Sequence, residues 1–270
     1  MTRILDLLND PRLPRLEARM LLEHALHKPR AWLLAHDTDP APAAAAQAYR
    51  TLIERRLAGE PMAYLLGERE FMGHMLRVTP DVLIPRPDTE LLVETALEML
   101  SGRPGAALLD LGTGSGAIAV SIALARPRCE VSATDASAAA LAVAADNANR
   151  LGARVRLLQG DWFDALPAGE RFDVIVSNPP YICSTDPHLQ QGDLRHEPRG
   201  ALTDGADGLR DLARIAADAP RWLRPGGALW LEHGWDQAEA VRSLLQQAGF
   251  TGVASRRDLA GIERISGGYL

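Results

Sequence analysis

Cysteine is almost missing from this chain. Cys129 and Cys183 are the two among 270 residues, too few for a disulfide framework and suited to a reducing compartment. Long apolar runs are missing too, since no stretch approaches the ~20 residues that a membrane-crossing helix needs. The opening segment carries Asp6 and Asp10 where a secretory signal would hold an unbroken apolar core. A cytoplasmic protein with no membrane partner is expected. Positive charge is in deficit, the formal net charge being -6. That balance disfavours a broad electrostatic footprint on nucleic acid, so no direct nucleic-acid binding is expected. Nor is there a metal-ligand set. His24 and His27 stand three apart and can share a helix face, but no cysteine or carboxylate completes a recognisable motif with them. They read as a surface pair, and no metal is expected. What the chain does have is apolar material, 47% of its residues, enough for a sizeable core in one large domain or two.

Over residues 2–59 the apolar positions recur at helical spacing, through Leu13, Leu16, Met20, Leu21 and Leu26, with prolines 11, 14, 29, 40 and 42 where helices should start or stop. This predicts a small helical bundle, including the alanine run at 43–46. Over residues 60–87 the character changes. Gly67, Gly73, Pro80, Pro85 and Pro87 break any helix, and Phe71, Leu76, Val78, Val82, Leu83 and Ile84 alternate like strands, so a hairpin linker is expected. Asp88 or Thr89 then caps a helix running to about residue 100. The expected division is a helical docking domain at 1–60, a hairpin linker at 61–87 and a catalytic domain at 88–270. Arg86, on the stiff Pro85-Arg86-Pro87 connection, either ties linker to sheet by a salt bridge or shapes the mouth of a pocket.

The second part reads as a nucleotide-binding α/β unit. A strand at 106–111 ends in Asp110-Leu111, runs into Gly112-Thr113-Gly114-Ser115-Gly116 and leads to a helix at 117–125. Glycines there permit positive φ and let a ligand lie close over the turn. The turn lacks the P-loop lysine, and its G-x-G-x-G spacing is not the dinucleotide fingerprint. A second strand ends in Asp135, placed where an acidic residue accepts from ribose hydroxyls or caps the helix at 138–151. A third leads to Asp161-Trp162, where Asp161 can accept from an adenine amino group and Trp162 can cover the ring; the plainer alternative is a capped turn with core aromatics.

The fourth strand, with Val174, Ile175 and Val176 apolar on both faces, ends in Asn178-Pro179-Pro180-Tyr181. Two prolines stiffen this hook and remove two backbone donors, leaving carbonyl acceptors in a fixed frame. Asn178 adds a side-chain carbonyl and Tyr181 a flat face, an arrangement suited to a planar group bearing an NH2. Pro225-Gly226-Gly227 reads as a tight turn into a strand at 228–232, followed by a helix at 237–248 and two strands, about 251–257 and 262–266, that can pair antiparallel at the sheet edge. His74, His188, His196 and His233 are scattered and read as structural or surface groups. Glu197 and Arg199 either line the pocket or close their loop by a salt bridge.

Together, residues 110–116, Asp135, Asp161-Trp162 and 178–181 resemble the class I S-adenosylmethionine-dependent methyltransferases. More narrowly, the chain resembles the bacterial release-factor glutamine methyltransferases, through Leu83-Ile84-Pro85-Arg86-Pro87-Asp88-Thr89-Glu90, the Asp110 to Ala119 stretch, His196-Glu197-Pro198-Arg199 with Ala201-Leu202, Asp207-Gly208-Leu209 and the Asp258 to Arg264 stretch. Asp88 stands where many members have glutamate, and the first 60 residues match in architecture more than in residues. The resemblance implies a Rossmann-like domain with a mostly parallel seven-stranded sheet and an antiparallel strand near its edge, behind a helical N-terminal domain and a hairpin. It implies S-adenosylmethionine held by Gly112, Thr113, Gly114, Ser115, Gly116, Asp135, Trp162 and Asn178. It implies a glutamine side chain held by Asn178, Pro179, Pro180 and Tyr181, with Asn178, Pro179 and Tyr181 catalytic. The implied partners are class I peptide chain release factors, methylated on the glutamine of their Gly-Gly-Gln motif by a protein expected to be a monomer. The nearest rival is an adenine-N6 methyltransferase acting on DNA or RNA, whose flipped base would offer the same exocyclic amine. A non-catalytic cofactor-binding scaffold is the alternative of another class, and a nicotinamide oxidoreductase ranks third.

Overall fold

Four of the prolines in the first part of the chain sit immediately before helices. The computed structural model describes residues 2–270, and in it Pro14, Pro29, Pro42 and Pro61 precede α2 (Arg15–Leu26), α3 (Arg30–Ala35), α4 (Ala43–Leu57) and α5 (Met62–Leu66). The missing N–H costs nothing there, because the first turn of a helix has no acceptor for it. With α1 (Ile4–Leu8), these helices bury Leu21, Leu22, Leu33, Tyr49 and Ile53 in a core of their own, and the Tyr49 hydroxyl donates to the Leu7 carbonyl at 2.8 Å. Helix α5 lies where the sequence pattern suggests the hairpin linker. Five residues are too few to show a helical period, and Gly67 in the left-handed region ends the helix at once. The chain separates into two compact units, one ending at Glu68 and the other Arg69–Leu270.

The hairpin is β1 (Glu68–Phe71) and β2 (His74–Arg77), turned by Met72 and Gly73, both at positive φ as a two-residue turn between twisted strands requires. Val78, Val82 and Ile84 do not continue as strand. They are buried from an irregular segment that ends in a short 3-10 turn, Pro87–Thr89, and α6 (Glu90–Met99). Neither Asp88 nor Thr89 makes the expected cap; instead Glu90 reaches back to accept from the Met72 N–H at 3.0 Å.

The larger unit is built on β3 (Ala107–Leu111), β4 (Glu130–Asp135), β5 (Val155–Gln159), β6 (Phe172–Ser177), β7 (Leu223–Glu232), β8 (Thr251–Arg257) and β9 (Glu263–Tyr269). They form one sheet in the order β5-β4-β3-β6-β7-β9-β8, parallel except for β9. Side chains of the central strands alternate between two cores: Leu108, Val174, Val176 and Trp230 face one, and Leu109, Ile175, Leu229 and Leu231 the other. Helix α7 (Ala117–Ala125) is buried all round over its first seven residues, and α8 (Ala138–Leu151) begins at Ser137, whose side chain accepts from the Ala140 N–H. Helices α9 (Arg199–Leu202), α10 (Arg210–Asp218) and α11 (Ala238–Gln247) follow later in the chain. Pro225-Gly226-Gly227 bulges within β7, since Leu223 pairs with Phe172 and Ala228 already pairs with Val174.

The strand order decides where a ligand can sit. From β3 the chain steps outward to β4 and β5, then returns to the other side of β3 as β6, so the connections leaving β3 and β6 diverge and open a crevice at their carboxyl ends. Leu111 is in register with Ser177, whose hydroxyl donates to the Leu111 carbonyl at 2.7 Å. The glycine turn and the Asn-Pro-Pro-Tyr hook therefore leave the sheet side by side.

Candidate active site

At that crevice lies a cavity of about 650 Å³ lined by Gly112, Gly114, Asp135, Trp162, Asn178 and Pro180, among others. Thr113, Ser115, Gly116, Pro179 and Tyr181 do not line it. They hold those that do. Thr113 donates its hydroxyl to Asp110 at 2.7 Å, the Ser115 carbonyl accepts from Asn147, and Gly116 packs so tightly on Ala144 and Val120 that a Cβ would lie 3.2 Å from each. Gly112 and Thr113 both donate backbone N–H groups to the Thr134 carbonyl, which fastens the turn to the end of β4.

Asp135 does more than close a strand. One carboxylate oxygen accepts from the Gly114 N–H at 2.9 Å and the other from the Ser137 N–H at 2.8 Å, so it orders the glycine turn while edging the cavity. The helix cap is Ser137, one of the two roles open to Asp135 from sequence. Trp162 has φ of +50°, costly for a bulky residue and a mark of a conformation imposed by its surroundings. Its ring covers Gly112, where a Cβ would come within 3.0 Å of the indole. Asp161 pairs with Arg214 of α10. Among the described residues, Asp110 keeps one buried carboxylate oxygen without a partner beneath the turn, and burial pushes its carboxyl up to about 7.

On the other wall, Asn178 lines the cavity and donates its Nδ2 to the Thr89 hydroxyl at 3.1 Å, which leaves its Oδ1 as an acceptor. Tyr181 is packed into the apolar core behind the hook and donates its hydroxyl to Glu232 at the end of β7, at 3.2 Å. Burial raises the Tyr181 phenol. Burial likewise pushes the Glu232 carboxyl up to about 7, with the hydroxyls of Thr89 and Tyr181 opposing that rise. The hook is anchored from outside by Gln237, which donates to the Tyr181 carbonyl at 3.0 Å, and by Gly208, where a Cβ would collide with that same carbonyl at 2.2 Å. Arg86 forms an ion pair with the fully buried Glu197 side chain, whose second oxygen accepts from the Ile84 N–H at 3.0 Å. The salt-bridge reading of both residues is the one seen. His233 is buried between Ser266 and the Gly234 carbonyl, and burial lowers its pKa.

Sequence reasoning passed over several lining groups. Asp81, Val82 and Leu83 fold over the crevice from the irregular segment, and Arg210, Asp211 and Arg214 come from α10. The Asp204-Gly-Ala-Asp-Gly stretch carried the signal for α10: Asp204 caps the N–H groups of Ala206, Gly208 and Arg210 and so aims the helix start at the cavity. A larger groove, about 1040 Å³, lies at the amino ends of β3 to β6, lined by Cys129 among others and away from the glycine turn and the hook.

A glycine turn and an acidic strand end at the switch point of a seven-stranded sheet, closed by one antiparallel strand, define a Rossmann-like methyltransferase. The same fold is seen in the crystal structure of a methyltransferase from Pyrococcus furiosus, at 22% identity and a TM-score of 0.55, covering 72% of this chain and 87% of that one. Residues 87–192 match the methyltransferase small domain model and residues 4–67 the PrmC N-terminal domain model. The release factor glutamine methyltransferase of Bordetella pertussis is 72% identical over 270 residues, covering 100% of both chains. That of Burkholderia pseudomallei is 56% identical, covering 98% of this chain and 95% of its own. The chain belongs to the release factor glutamine methyltransferase family, as its motifs suggested.

Proposed function

We propose that this protein transfers a methyl group from S-adenosylmethionine to the side-chain amide nitrogen, N5, of the glutamine in the Gly-Gly-Gln motif of class I peptide chain release factors, in the cytoplasm. Full-length identity of 72% supports the assignment, and the observation in the site that carries it is Asn178, which lines the cavity, is held through its Nδ2 on Thr89 and keeps its Oδ1 available as an acceptor. The residues present suit the cofactor. Gly114 has open space where a Cβ would project, the Trp162 ring lies as a flat face over Gly112, and Asp135 offers carboxylate acceptors at the cavity edge. When bound, the cofactor supplies an activated methyl on a sulfonium.

What the chain must do is present the nucleophile. An amide nitrogen is a poor one because its lone pair is delocalised into the carbonyl. Asn178 Oδ1 accepts an N–H of the amide, holds the nitrogen toward the methyl donor and favours its pyramidalisation as the N–C bond forms, the sulfonium's S–C bond breaks to leave a neutral thioether, and the surplus N–H proton passes to water. Well-oriented reactions gain roughly 7 to 11 kcal/mol from such positioning, and no side-chain base is needed. Tyr181 supports the hook from behind. The helical N-terminal unit docks the release factor. The decisive assay is methyl transfer from labelled cofactor to purified release factor, beside the same factor with its Gly-Gly-Gln glutamine replaced and beside duplex and single-stranded DNA. Label on the intact factor alone is expected; label on DNA alone would hand the site to a flipped adenine.

A further inference from the structure

Gln237 stands at the start of α11, outside the cavity, and both polar atoms of its side-chain amide are engaged. Nε2 donates to the Gly208 carbonyl at 3.3 Å as well as to the Tyr181 carbonyl at 3.0 Å, and Oε1 accepts from the Gly234 N–H at 2.8 Å. The amide has one hydrogen for each of those carbonyls. Flipped, it would set an oxygen against two carbonyl oxygens and an NH2 against an N–H, so all three partners select one orientation. The turn that carries it is fixed as well. The Gly234 carbonyl accepts from the Gln237 backbone N–H at 3.1 Å and from His233 Nδ1 at 2.9 Å, which ties the turn to the end of β7. The segments joined in this way are those that shape the cavity. Tyr181 ends the hook, whose Asn178 and Pro180 line one wall. Gly208 precedes α10, whose Arg210, Asp211 and Arg214 line another, and Asp204 accepts from the N–H groups of both Gly208 and Arg210. A Cβ on Gly208 would meet Gln237 Nε2 at 3.0 Å and the Tyr181 carbonyl closer still, so the two segments are in contact at the amide.

We propose that Gln237 is a positioning residue: by giving one N–H to the Tyr181 carbonyl and one to the Gly208 carbonyl, it sets the spacing between the hook and the start of α10, and so the place at which Asn178 meets the glutamine amide. The inference rests on the glutamine-methylation reading of the site. It assigns a role to a side chain that acts through the backbone of two cavity walls, and it explains why a glycine is needed at 208, where any side chain would force those walls apart.

The test compares wild type with Gln237→Met and Gln237→Glu, measuring kcat and KM for release factor, cofactor Kd and melting temperature, the last two showing that each variant is folded. Gln237→Met keeps the length of the side chain and removes all three bonds. Its kcat should fall about 10²-fold, the scale of a displaced reacting group, with cofactor Kd unchanged. Gln237→Glu keeps the bond from Gly234 and loses both donors, setting an anionic oxygen against two carbonyls. Its kcat should fall as far at pH 8.5. Burial and those carbonyls raise the new carboxyl, so by about pH 5.5 it regains one hydrogen to give, and its rate relative to wild type should recover about tenfold, the scale of one hydrogen bond. The Gln237→Met ratio should not change with pH. Wild-type kcat in both variants, or a Gln237→Glu ratio as flat with pH as that of Gln237→Met, would overturn the proposal. Wild-type protein inactive on release factor would sink the functional reading instead. The hook would then be followed directly: Tyr181-Ile182 is the one Tyr-Ile pair in the sequence, so 13C-carbonyl tyrosine with 15N isoleucine singles out its carbonyl, whose resonance should move in Gln237→Met, and an unmoved resonance would show that Gln237 does not hold it.

Discussion

At the scale of single residues, the site divides into groups that touch the cavity and groups that aim them. Asn178→Ala removes an acceptor that acts on the reacting nitrogen, so kcat should drop by roughly 10² to 10³, as when one oriented hydrogen bond is removed from a developing charge, while cofactor Kd measured by calorimetry stays near wild type. Retained turnover would end the positioning account. Gly112 works the other way, through what it lacks. At φ of +71°, and with the Trp162 ring 3.0 Å from where a Cβ would sit, Gly112→Ala should cost about 1–2 kcal/mol of stability. It should also weaken cofactor binding about tenfold or more by displacing the indole that lines the cavity. Unchanged affinity would remove Gly112 and Trp162 from the cofactor site. The turn and the hook were both legible in the sequence, because glycine and proline act through the local backbone. Thr89 and Glu232 were not. Thr89 lies 89 residues from the Asn178 it holds, and nothing in a threonine or glutamate at a helix start or strand end announces such a partner.

At the scale of elements, apolar runs that stop at a polar or glycine residue gave away β3, β4 and β6 within a residue or two, since a strand buried on both faces has almost no alternative reading; β5, half-buried at the sheet edge, was legible from its place between a helix and the Gly160 turn. The short helix α5 and the irregular segment after β2 escaped because burial there is set by what packs on them and not by any period; Val82 and Ile84 are as buried as strand residues while belonging to none. Strand ends also carry a pH dependence. The ordinary carboxyl value of Glu232 is 4.5, and burial holds it near 7 in the folded protein. Below pH 4.5 the group is protonated in both states and costs nothing. As pH rises toward 7 the unfolded chain releases the proton first, so stability is lost, and the loss is complete above about 7. Glu232→Gln should therefore be more stable than wild type at pH 8.5, by at most on the order of 3 kcal/mol, and no different at pH 4. Denaturant titrations of the two proteins at both values check it; a variant less stable at pH 8.5 would mean that the carboxylate is better paired than its burial suggests.

At the scale of the whole molecule, each unit has its own core, the helical one around Tyr49 and the sheet one in two layers. If the helical unit docks the release factor, a chain lacking residues 1–68 should bind cofactor as tightly as the full protein and show a KM for release factor raised about tenfold or more, with a short Gly-Gly-Gln peptide methylated equally by both. Equal KM values for the whole factor would remove the docking role. The sheet carries a further consequence in the order in which it is synthesised. Strand β9 is made after β8 yet lies between β8 and β7, with Gly267 so close under Trp230 that no side chain would fit. As the chain leaves the ribosome, β8 emerges with no neighbour to pair with and β7 with one edge bare, and both wait for β9. During that interval the nascent enzyme exposes open strand edges of the kind that recruit other chains, so protection by a chaperone matters most just before its last strand arrives.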